Sequence, residues 1–196
     1  QKSGAEVLPP TPGLQISKAM GQQNPQEMQI ARAMKELEPD EERAKSLYSK
    51  GVQLANELLI KIEKKEPIEL NSFKDLLEQI INYFILKGKT IFTFFYDDYK
   101  AEEYLADHTI NVMIMSLGIG LRLGYNKSRL DELGMAAFLH DIGMLEVKEI
   151  YLQPHTISED EHKQIKKHPS NAVTILSEIQ DISQTVIDAV KQVHER

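Results

Sequence analysis

Ala44, Leu47, Gly51, Leu54 and Leu58 recur at intervals of three and four residues, with charged side chains between them. Only a helix gathers such positions on one face. The same spacing returns in Phe73, Leu76, Leu77, Ile80, Ile81 and Phe84. An apolar helical stripe has to be covered by another element, so the chain is constrained to helices packed on helices. The period predicts a short helix over 26–37 and a long one over 40–65, the latter ended by Pro67. Ser72, with Asp75 three residues on, has the spacing of a capping box for the next helix. Further helices are predicted over 101–123, 127–142, 159–167, 170–178 and 183–195, with Gly124 as a helix stop. The stretch "LKGKTIFTFFYDD" reads as strand or helix, but helices flank it and no partner strand is apparent. The fold class is all-α. The stripe over 40–65 either packs on a neighbouring helix or forms a homodimer seam, and two heptads are short for a coiled coil.

Composition narrows the function classes. The chain has no cysteine, so disulfides and thiolate metal sites are excluded, and a metal would need nitrogen and oxygen ligands. This suits a reducing compartment, and a cytoplasmic location is expected. A net charge of -7 over 196 residues argues against sequence-independent binding to long nucleic acid. No apolar stretch reaches the ~20 residues of a membrane span. Residues 1–26, with "VLPPTPG" and "GQQNP", read as a linker or disordered lead-in. The chain begins at Gln1 without methionine and is expected to be a fragment or a processed product.

The histidines separate into two groups. His155 sits in the polar turn "QPHTIS" and His162 on the charged face of "SEDEHKQ", so neither is expected to be a ligand. His108, His140 with Asp141, His168 and His194 each lie on or beside the apolar stripe of a different helix. Helical bundles build metal sites from inward-facing side chains of this kind. Adjacent His140 and Asp141 on one helix would diverge by about 100°, letting both reach a common centre. Imidazole and carboxylate suit iron, manganese or zinc. From spacing alone, a core histidine satisfied by an aspartate remains equally open.

The ordered series "DHTINV", "AAFLHDIG", "ISEDEHKQIKKHPSNAVTIL" and "VKQVHER" resembles the HD-GYP family, a branch of the HD-domain metal phosphohydrolases, over residues 99–196. The resemblance implies an HD-domain helical bundle at 99–196 with an N-terminal helical extension at 27–98. It implies two divalent metal ions, iron or manganese, and hydrolysis of cyclic di-GMP. Diguanylate cyclase domains are expected as partners. Carried over by motif position, His108, His140, Asp141, His168 and His194 would be metal ligands. Asp141 would be the carboxylate bridging the two ions and the residue central to catalysis. Departures from the family pattern are Met144 and Gln153 where lysines are usual, and Val193 in place of a histidine. Tyr104 replaces a glutamate, so a third metal is not expected. The "DGxGYP" stretch and a later aspartate ligand are expected beyond Arg196. Weak turnover is one expectation; the alternatives are a non-catalytic cyclic di-GMP sensor and an HD phosphohydrolase of another nucleotide.

Overall fold

The computed structural model describes residues 25–87, 104–154 and 156–194, with side chains over 40–86, 104–154 and 156–194. The lead-in before residue 25, residues 88–103 with most of "LKGKTIFTFFYDD", His155 and residues 195–196 lie outside the described residues. Residues 37–196 make one compact unit, which holds all the side chains discussed below; residues 1–36 make another.

Among the described residues the secondary structure is helical, without strands. The helices are α1 (Pro25–Glu63), α2 (Asn71–Lys87), α3 (Tyr104–Arg122), α4 (Lys127–Leu139), α5 (Lys148–Tyr151), α6 (Glu159–Ile165), α7 (His168–Leu176) and α8 (Gln184–Lys191). A 3-10 segment, Ile142–Val147, stands between α4 and α5. The all-α expectation holds. Two helices were expected over 26–37 and 40–65, but α1 runs through Pro39 unbroken. A proline inside a helix forfeits one N–H bond, and the helix continues on the others.

The stripe of α1 is used within the chain. Ala44, Leu47 and Leu58 are buried, and Gly51 brings α1 close to Ile110 of α3. Tyr48 adds a hydrogen bond from its hydroxyl to Asn111 Oδ1 at 3.0 Å. Ala44, Leu47 and Leu58 of this face belong to the chain's own core cluster, and Leu54 packs against it partly buried.

Helix α2 buries all six of its periodic residues. It starts at Asn71, so Ser72 lies within the first turn and not at the cap. Phe73 stacks on Phe138 of α4, ring centroids 3.5 Å apart at 17°. Ile110, Met113, Ile114 and Leu117 of α3 complete the centre, with Leu176 of α7 and Val190 of α8 against it. Fully burying side chains of this size is worth about 1.5–3 kcal/mol each before entropy is counted. Gly124 has φ +76° and ends the turn after α3, as its type predicts. The Ser–Glu pair that does form a capping box is Ser158 with Glu161, at the start of α6.

Candidate metal centre

One end of this bundle gathers four histidines around one aspartate. His108 comes from α3, His140 and Asp141 from the end of α4, His168 from the first turn of α7, and His194 from just beyond α8. Two of these positions differ from the sequence expectation. Helix α4 stops at Leu139, so His140 and Asp141 form its exit and not its interior. Asp141 has φ -108° and ψ 9°, outside the helical range, and the chain then tightens into the 3-10 turn. Helix α8 likewise ends at Lys191, and His194 stands at φ +67°. A left-handed backbone is strained for a non-glycine residue, and such strain concentrates at functional sites.

Gly143 lets the turn that follows α4 pack closely on α7. A Cβ there would lie 2.0 Å from the carbonyl oxygen of His168 and 2.5 Å from the amide of Ala172. The 3-10 segment and α7 meet backbone to backbone, and only glycine permits that approach. This contact sets the distance between the His140–Asp141 exit and His168. The glycine in "HDIG" was legible as a motif letter, but its packing role was not.

The Asp141 carboxylate divides its oxygens. Oδ2 lies 3.3 Å from His108 Nε2 and 3.1 Å from His140 Nε2. Oδ1 lies 3.2 Å from His168 Nε2. Donor atoms of His108, His140 and Asp141 fall within 4.8 Å of one another, and so do those of Asp141, His168 and His194. The rings of His168 and His194 are 5.2 Å apart, and those of His140 and His194 6.4 Å. Asp141, His140 and His168 are buried at 8%, 6% and 7% exposure, while His194 is exposed. Tyr104 stacks on His108 with centroids 5.6 Å apart.

Hydrogen bonding sets the tautomers. His140 Nδ1 lies 2.7 Å from the Ala137 carbonyl, and His168 Nδ1 lies 2.8 Å from the Ile165 carbonyl. A carbonyl only accepts, so both Nδ1 atoms carry hydrogen and donate. In the neutral ring this leaves Nε2 as a lone pair aimed at the carboxylate, as in metal-binding histidines held by an outer carbonyl. Asp141 Oδ1 and His168 Nε2 are buried and close, yet neither has a hydrogen-bond partner among the described residues. Leaving such groups unsatisfied costs about 1–3 kcal/mol each. A cation shared between them would satisfy both, and nitrogen and oxygen donors fit a divalent metal.

Asp141 and the rings around it shift one another's charge. Burial pushes the Asp141 carboxyl up, but the imidazoles of His108, His140 and His168 outweigh it and hold it well below the usual carboxylate range. For His168, burial works against the charged ring, and Asp141 overcomes it and raises the pKa. Burial lowers His194, with His168, His140 and His108 opposing its charge and Asp141 favouring it. The centre is a carboxylate that attracts positive charge from both sides.

His162 lies exposed on α6 and belongs to neither donor group. Met144 and Gln153 line the same cleft as His108 and Asp141.

Residues 105–196 match the HD domain family. This part of the chain is similar to HD domains, and it is called the HD domain below. Over 97 residues, 49% of the chain, it is 28% identical to a cyclic di-GMP phosphodiesterase of Pseudomonas aeruginosa. The matched stretch spans 23% of that relative's length. No solved structure matches. Among the described residues, no helix of the HD domain or of the segment before it is long and apolar enough to cross a membrane.

Proposed function

We propose that this HD domain is a metal-dependent phosphohydrolase of an atypical HD-GYP type, acting on cyclic di-GMP. The observation that carries the reading is the divided carboxylate of Asp141, with one oxygen toward His108 and His140 and the other toward His168. A single carboxylate shared in this way suits two adjacent ions. His108, His140 and Asp141 Oδ2 would hold one, and His168, His194 and Asp141 Oδ1 the other. The cyclic di-GMP phosphodiesterase relative supports the substrate. Iron or manganese suits the imidazole and carboxylate set.

Bound there, divalent ions supply a water of lowered pKa and neutralise charge developing on phosphoryl oxygens. The chain's own residues do the rest. The carbonyls of Ala137 and Ile165 fix the rings of His140 and His168, so little reorganisation is needed when a ligand arrives. Asp141, kept ionised by its neighbours, holds the negative charge that keeps both donor groups together. His140, Asp141 and His168 are buried, which limits water at those three ligands.

A second reading, a sensor that binds cyclic di-GMP without turnover, is favoured by one observation. Met144 and Gln153, where family relatives usually carry lysine, line the cleft beside His108 and contribute no charge to it. Anaerobic purification, elemental analysis and chromatography of cyclic di-GMP incubated with the protein test both. Two ions per chain with slow release of the linear dinucleotide or GMP support the phosphohydrolase. Tight binding without product supports the sensor. Absence of bound metal under metal-replete conditions would overturn the proposal.

A further inference from the structure

Two clefts are each lined by residues of the candidate centre, and they differ in charge. The cleft on the His108 side has neither lysine nor arginine in its lining. The cleft on the His168 and His194 side is lined by His162, Lys166, Ser170 and Lys191, and by neither aspartate nor glutamate. Against a net charge of -7, a cleft carrying only cationic side chains is a departure from the rest of the chain. Neither lysine has a carboxylate partner among the described residues. By contrast Lys163 pairs with Asp160 at 2.7 Å, Lys127 with Asp131 at 3.0 Å and Lys148 with Glu63 at 2.6 Å. The first turn of α7 also lines the cleft, and the start of a helix carries partial positive charge. His168 and His194, assigned above to the centre, also line it, so the cleft adjoins the centre.

We infer that the cleft between α6, α7 and α8 receives the second phosphate of a dinucleotide whose first phosphate lies at the metal centre, with Lys166 and Lys191 as its counter-charges. This rests on the phosphodiesterase reading above. It relocates the charge absent at Met144 and Gln153 to the other cleft. A lysine ammonium on its flexible stem acts as a point charge and needs no fixed fork geometry, so exposed lysines suffice for a phosphate. Substrates with a single phosphodiester would not use the cleft. The pair therefore selects for two phosphates at the right separation.

The test uses the full chain loaded with manganese, with Lys166→Gln, Lys191→Gln and their double variant, and Lys163→Gln as the control outside the cleft. Equilibrium binding of cyclic di-GMP is read at about 0.1 M salt, where screening is moderate. The double variant is expected to bind about tenfold more weakly, as two exposed charge contacts together allow. Its metal content should be unchanged, its salt dependence shallower, and Lys163→Gln should match the wild type. Hydrolysis of the mono-phosphodiester bis(4-nitrophenyl) phosphate should not respond to the lysines. Undiminished binding by the double variant, equal weakening by Lys163→Gln, or loss of metal with the lysines would each overturn the inference. If the wild type does not bind cyclic di-GMP, the substrate reading fails by itself. Inorganic phosphate then decides the cleft on zinc-loaded, nitrogen-15-labelled protein. Amide shifts at Ser170 and Val193 that vanish in the double variant uphold it, and their absence in the wild type overturns it.

Discussion

At the scale of single residues, Asp141 and Gly143 carry the centre in different ways. Asp141 faces both donor groups, so Asp141→Ala is expected to remove both ions, whereas His168→Ala should remove one and leave the other on His108, His140 and Asp141. Elemental analysis of the two variants, each purified beside the wild type, checks the difference. Equal losses would mean that Asp141 does not bridge. Gly143→Ala places a methyl against the backbone of α7, which no rotamer change can relieve. Overpacking of this kind costs about 1–3 kcal/mol. Urea unfolding should show the loss, and metal occupancy should fall as the exit of α4 is pushed away from His168. Met144 and Gln153 give a residue-scale prediction of the opposite sign. Met144→Lys with Gln153→Lys should raise kcat on cyclic di-GMP, because a preorganised charge contact is commonly worth ~10²–10³ in rate. No gain, with tight binding retained, would favour the sensor.

At the scale of elements, the ends of the helices matter more than their middles. Helix α6 begins with the Ser158–Glu161 capping box and carries no ligand, yet its last carbonyl-bearing turn holds His168 through Ile165. Ser158→Ala is expected to cost about 1 kcal/mol of stability, as N-cap losses do, with metal content unchanged. Thermal unfolding and elemental analysis on the same preparation separate the two effects. Helix periods were legible throughout, because apolar spacing reports which face is covered. The terminations were not. The exit of α4 at Leu139 and the end of α8 at Lys191 were each expected several residues later. Periodicity continues past a helix end whenever the following residues are also buried, and His140 through Gly143 are all buried. Beyond that exit Gly143 meets the backbone of α7, a contact distant in sequence.

At the scale of the whole molecule, the HD domain depends on the helix before it. Residues 37–196 form one compact unit, so a chain starting at Leu37 should keep its melting temperature and metal content. A chain starting after residue 65 should not, since it uncovers Ile110 of α3, which is fully buried. Calorimetry of the two truncations decides, and equal stability would show that the α1 stripe contributes nothing to the domain. The amino-acid sequence by itself determined the helical class, the lack of thiolate ligands and which five side chains could meet, because residue type and spacing are local facts and the motif series is ordered along the chain. It could not determine whether His140 and Asp141 satisfy each other or face outward to a cation. Tertiary structure shows one carboxylate shared among three rings, with His108 and His140 on one oxygen and His168 on the other, and two Nδ1 atoms tied to backbone carbonyls. It also placed Ala44, Leu47 and Leu58 of the 40–65 stripe in the chain's own core, and Lys166 and Lys191 in the cleft beside α7. Each of these depends on distances between helices far apart in the chain, and such distances are set by how backbones approach, as at Gly143, and not by any pattern within one helix.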